Sequence, residues 1–145
     1  MGTMAESGSG MDAREIAELR RSAIELFGDY LEKFQSGAPE AVLPFMSLPV
    51  VMVSAGRVAV RETSEQVIAA YGEIHDRLRT LDYGSTRAHV EAVEVLDHET
   101  VTVRTLGIRY DRHGRAIEPT QALYLMLGPD GGPLRIATLV AFITE

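Results

Sequence analysis

The hydrophobic period of this chain changes once, near Ser85, and that change limits the folds open to it. Before it, apolar residues recur at three- and four-residue steps: Ile16, Leu19, Ala23, Phe27, Tyr30, Leu31 and Phe34 in one run, then Val67, Tyr71, Ile74, Leu78 and Leu81 in another. Such spacing lays an apolar stripe along one side of a helix. After Ser85, side chains alternate with period two over residues 86–96, 100–110, 117–127 and 134–143, which reads as four strands. Only short turns separate them: Asp97-His98-Glu99, Asp111-Arg112-His113-Gly114 and the Gly/Pro-rich residues 129–133. Parallel neighbours need a crossover of roughly a dozen residues or more, so the four strands form an antiparallel meander. Helices first and a meander afterwards predict an α+β fold, a curved antiparallel sheet wrapped around two long helices.

Local signals fix the ends of these elements. Asp12 with Glu15 three residues on is a variant of the capping box, and Ser36-Gly37 closes the first helix. Pro39 suits the first position of a short second helix, which Pro44 limits to a turn or two. Residues 50–54 and 57–60, joined through Ala55-Gly56, read as a hairpin. Thr63 and Gln66 announce the second long helix, closed by Leu81-Asp82-Tyr83-Gly84. Gly72 inside it costs roughly 1 kcal/mol relative to Ala, which points to close packing there.

At 145 residues the chain fits a single domain, expected over 12–145 behind a disordered tail over 1–11. A net charge of −7 opposes binding to a nucleic-acid backbone. The absence of cysteine removes disulfides, thiolate chemistry and Cys-ligated metals. The start lacks the basic and apolar regions of a secretory signal, and no apolar stretch approaches a membrane span, so a cytoplasmic setting without membrane contact is expected. No phosphate loop, nucleophile elbow or HExxH helix occurs, and the glycines of 128–132 join two strands, so no cofactor is expected.

The last two strands are apolar on both faces: Leu123, Leu125 and Leu127 alternate with Ala122, Tyr124 and Met126, and Val140 and Phe142 with Leu139 and Ala141. One face covers the helices. The other needs a cover of its own, which predicts a homodimer through the outer face of the sheet.

The order helix, short helix, hairpin, long helix, meander resembles that of the NTF2-like superfamily, especially its SnoaL-like branch. The resemblance covers roughly residues 12–144. It is carried by that order and by Phe45-Met46-Ser47-Leu48-Pro49 before the hairpin, Arg109-Tyr110-Asp111 with Gly114 at a turn, and Arg135-Ile136 in the final strand. It implies a cone-shaped (cystatin-like) sheet whose concave side, closed by the helices, holds an apolar pocket. Members include isomerases, dehydratases, cyclases and non-catalytic subunits, so the fold alone leaves function open.

His89 resembles in position the catalytic histidine of the dehydratase relatives, and imidazole suits proton abstraction near neutrality. Those relatives orient it with an aspartate at the end of the first helix, where this chain has Gln35 or Ser36; Asp29 is the nearest acid upstream. Tyr30 resembles the tyrosine of ketosteroid isomerase, whose carboxylate base is missing from the hairpin here; residues 101–110, 120–127 and 134–143 carry no Asp or Glu either. Each has a plainer reading, a hydrogen-bonded histidine on the sheet and a core aromatic. Glu91 and Glu94 fall on opposite faces unless a bulge intervenes, and so do Arg104 and Arg109. The inward arginine either binds an acidic ligand or pairs across the strands. His75 either reaches the pocket or snorkels. Asp97-His98-Glu99 and His113 sit in turns where side chains splay apart, so no metal site is expected.

Three functions remain open. The preferred one is a small-molecule binder whose apolar pocket is lined by Tyr30, Phe34, Met52, Tyr71, His89 and Tyr124. The second is a cofactor-independent lyase, isomerase or cyclase with His89 as base and Tyr30 as hydrogen-bond donor. The third is a dimeric, non-catalytic interaction module.

Overall fold

The structure is a computed structural model that describes residues 10–142. The segment expected as a tail lies outside the described residues up to residue 9, as do residues 143–145. Helix α1 spans Ala13–Gln35, a 3-10 segment Pro39–Phe45, strands β1 and β2 Met46–Ser54 and Arg57–Arg61, and helix α2 Ser64–Thr80. Strands β3 to β6 follow as Tyr83–Asp97, Thr100–Asp111, Ala116–Leu127 and Arg135–Phe142. The six strands form one sheet in the order β2-β1-β6-β5-β4-β3. The meander is antiparallel throughout, while β1 joins β6 in parallel and so brings the hairpin into the same sheet.

Each helix begins as its sequence dictates. Asp12 accepts from the Glu15 amide and Glu15 Oε1 accepts from the Asp12 amide, both at 2.9 Å. Thr63 Oγ1 accepts from the Gln66 amide, and Gln66 Oε1 from the Glu62 amide. These contacts satisfy amides that the first helical turn leaves without partners. The 4-3-4 stripe Ala23, Phe27, Tyr30 and Phe34 of α1 is buried against the sheet, and Val67, Ala70, Tyr71, His75 and Leu78 bury the inner side of α2.

On the concave face the strands contribute Val101, Val103 and Thr105 from β4, Ala122, Tyr124 and Met126 from β5, and Ile136 from β6, all buried. Gly107 continues that row on β4. A Cβ there would lie 2.5 Å from the Arg87 carbonyl oxygen and 2.6 Å from the Ala88 Cβ, so the close approach of β3 to β4 requires glycine.

Two expectations change. Gly72 does not mark close packing: a Cβ would meet only Pro39 Cγ, at the ordinary distance of 3.9 Å. Glu91 and Glu94 are both exposed on the convex side, because a bulge between Val90 and Ala92 shifts the alternation by one residue. Glu91 there pairs with Arg104 at 3.1 Å, so this cross-strand pair forms on the outward arginine and not on the inward one, Arg109. No helix among the described residues is long and apolar enough to cross a membrane.

Candidate functional site

The concave face changes character along its strands. On β4 the inward row runs Val101, Val103, Thr105, Gly107, Arg109; on β5 it runs Met126, Tyr124, Ala122, Thr120, Glu118. The strands are antiparallel, with Val101 opposite Met126 and Arg109 opposite Glu118. Both rows therefore pass from apolar to charged in the same direction. The apolar end is sealed by α1. The charged end is open.

At the open end Arg109 Nη1 donates to Glu118 Oε2 at 2.7 Å, and Arg77 from α2 grips the same carboxylate with Nη1 and Nη2 at 3.2 and 2.8 Å. The hydrogen bonds from Arg77 and then Arg109 hold the Glu118 carboxyl below its usual range, so it stays ionised at neutral pH. Arg109 also stacks over the Phe34 ring, 5.5 Å from its centroid. Its Nε is buried with no hydrogen-bond partner.

Two spaces meet at Arg109 and Thr120. The inner one is a chamber of about 40 Å³, walled by the Tyr30, Phe34 and Tyr124 rings and by Thr86, Thr105 and Thr120. The outer one is a cleft of about 480 Å³ between Ser54-Ala55 at the hairpin tip, Arg77, Glu118 and Ala141-Phe142. The chamber has room for only a few water-sized groups, whereas the cleft falls in the ordinary range of small-molecule sites. Behind the chamber the Tyr30 and Tyr71 hydroxyls are 2.7 Å apart, and the Tyr124 hydroxyl interacts with Tyr30. Burial, more than any neighbour, raises the pKa of all three tyrosines above the usual phenol value, so they remain protonated hydrogen-bonding groups.

The family model for NTF2-like proteins (DUF6841) matches residues 17–142. The chain belongs to that family. No curated protein matches it. Among solved structures, a domain of unknown function with a cystatin-like fold from Nostoc punctiforme superposes with a TM-score of 0.70 at 11% identity, covering 93% of this chain and 80% of the other. A ketosteroid isomerase-like protein from Erwinia carotovora atroseptica gives 0.63 at 20% identity, with coverages of 92% and 100%. A protein from Catenulispora acidiphila, solved in complex with S-DNPA, gives 0.67 at 15% identity, with coverages of 87% and 93%. At these identities the likenesses establish the NTF2-like fold and leave the activity open.

Within this NTF2-like cone the residues singled out from sequence separate into three places. Tyr30, Phe34 and Tyr124 line the inner chamber, while Tyr71 does not line it and touches its wall at the Tyr30 hydroxyl and the Phe34 ring. Met52 lines a different cleft of about 590 Å³, between the hairpin and α2. His89 is exposed on the convex side, because the alternation of β3 turns Thr86 and Ala88 toward the chamber and His89 away from it. The position inferred for a base in a concave pocket is therefore not on the concave face. Gln35 does not orient it either: Gln35 Oε1 accepts from the Thr86 amide and Nε2 donates to Leu31, fastening the end of α1 to β3. Asp29 is exposed. His75 neither lines the chamber nor snorkels; it is buried, with Nε2 3.0 Å from the Phe34 carbonyl oxygen. Asp97 caps its own turn by accepting from the Glu99 amide, Glu99 accepts from the Asp130 amide in the neighbouring turn, and His98 and His113 are exposed.

Sequence reasoning passed over Arg77, Glu118 and Thr120. Glu118 escaped notice because the acid-free stretch begins at residue 120, four residues beyond the strand's start at Ala116. Its signal was present: stepping back by two from Met126 through Tyr124, Ala122 and Thr120 arrives at Glu118.

Proposed function

We propose that this NTF2-like protein binds a small molecule at the open end of its cone. The ligand's body would lie in the cleft beside Arg77, Glu118 and Ala141, and one end of it would enter the chamber past Thr120. The observation that carries this reading is the position of Arg109: one residue lines both spaces, with Nη1 held by Glu118 and a buried Nε–H that has no partner. A charged group is placed this way at some cost in desolvation, and a ligand acceptor offsets that cost. The aromatic rings fill most of the cone, and the space left beside them adds Arg109, Glu118 and threonine side chains to a lining that is otherwise apolar.

Binding is favoured over catalysis. Among the described residues no histidine lines either space, Glu118 is held ionised between two arginines, and the tyrosines are held protonated. A general acid or base works best with a pKa near the operating pH. The test is a thermal-shift screen of a small-molecule library against the wild type and Ala141→Trp, which fills the exposed cleft without touching the core. Compounds that raise the wild-type melting temperature and not that of the variant support the reading; a screen in which both proteins respond alike contradicts it.

A homodimer is a compatible second proposal. The convex face carries exposed Val58, Val60, Ile108 and Leu123, joined by half-buried Leu125, Val140 and Phe142, and two copies packed face to face would cover this strip. Leu123→Glu should then shift a dimeric mass to a monomeric one in light scattering, whereas a wild-type monomer at micromolar concentration rules the proposal out.

A further inference from the structure

We infer that the ligand is a carboxylate, seated on the Nε edge of Arg109. This rests on the open end being a ligand site, and it names the chemistry that site selects. A guanidinium offers its donors in a planar fork, and the edge formed by Nε and Nη2 matches the two oxygens of a carboxylate. In this protein Nη1 is already committed to Glu118, which fixes the plane of the group, while the buried Nε has no partner. A neutral apolar ligand would leave that N–H unsatisfied. A cation would face Arg77 and Arg109 together. An anion with two coplanar oxygens satisfies the donor and balances the charge.

Charge around the site points the same way. The cleft holds two arginines and one carboxylate. The neighbouring cleft, which shares Ser54 and Ala55 with it, adds Arg57 and Arg61 against Glu73 alone, and neither arginine forms an ion pair among the described residues. In a chain of net charge −7, the open end of the cone is thus a locally positive region. Size narrows the class further. The chamber of about 40 Å³ admits a small planar head group flanked by the Thr120 and Tyr124 side chains, and the cleft of about 480 Å³ accepts a body of several carbon atoms. A short- or medium-chain aliphatic acid or an aromatic acid fits both limits.

The experiment pairs each acid with the amide of the same shape: hexanoate with hexanamide, benzoate with benzamide, and phenylacetate with phenylacetamide, titrated into the full chain and followed by NMR and calorimetry. For at least one pair the acid should bind about tenfold tighter than its amide or better, the ratio expected of one added charge-assisted hydrogen bond. That advantage should shrink as salt is raised and vanish in Arg109→Gln, while Arg104→Gln on the convex face keeps it. If Arg109→Gln fails to fold, the acid-to-amide ratio of the wild type decides alone. Equal binding of acid and amide in every pair overturns the carboxylate inference and leaves small-molecule binding standing. No binding by any acid or amide removes both.

Discussion

The two ends of the concave face are built on the same strands and obey opposite rules. At the sealed end Val101, Val103, Met126 and Ile136 are fully buried and make no polar contact through their side chains. At the open end, a few residues further along the same strands, Arg109 and Glu118 are only partly covered and are tied to each other and to α2 by charge. The first arrangement draws its stability from area removed from water. The second contributes little to stability, since partly exposed ion pairs are worth roughly 0–1 kcal/mol. Fold and site are thus divided along one surface, with the tyrosine cluster as the boundary.

The largest expected difference sets Met126 against Thr120, two inward residues of β5. Met126→Ala removes a side chain with no exposed surface and should cost about 2–5 kcal/mol in urea unfolding. Thr120→Ala should stay within about 0.5 kcal/mol of the wild type. Equal losses at both positions would erase the division. A middle-sized effect is expected at the boundary: Tyr71→Phe removes one of the two hydroxyls that bond Tyr30, which keeps Tyr124, and should cost about 0.5–1.5 kcal/mol.

How much of this was legible in the chain follows from the same division. Helices and strands were readable because each carries a stripe or an alternation long enough to override local noise, and the capping residues marked both helix starts. The sealed end was readable for that reason, with Phe27, Phe34, Tyr71 and Tyr124 all on expected core faces. The open end was harder. One bulge at Glu91 and strand ends displaced by one to four residues decide which side chains converge, and neither leaves a composition signal. His89 attracted notice by its chemistry, yet its parity on β3 sends it outward. Glu118 carries no motif of its own, and only its pairing opposite Arg109 gives it a role.

The smallest expected effect concerns pH. His75 is buried, so desolvation lowers its pKa below the ordinary 6.5, with the bond to the Phe34 carbonyl opposing that shift. The unfolded chain then takes up a proton more readily than the folded one. His75 therefore leaves stability unaffected above about pH 6.5 and reduces it as pH falls below, by about 1.4 kcal/mol for each unit of difference between the two states. Denaturant midpoints at pH 7.5 and pH 5 should fall further for the wild type than for His75→Gln. Parallel falls would assign the acid sensitivity to other groups.

The most direct test of the division is to map where a carboxylate ligand touches the protein, using backbone NMR shifts on titrating hexanoate. Shifts confined to Arg109, Glu118, Thr120, Ala141 and their strand neighbours, with Val101, Met126 and the convex face unchanged, are the expected result. Shifts centred on the convex face around His89, or on the hairpin cleft around Met52 without Arg109, would contradict the assignment of the open end as the site.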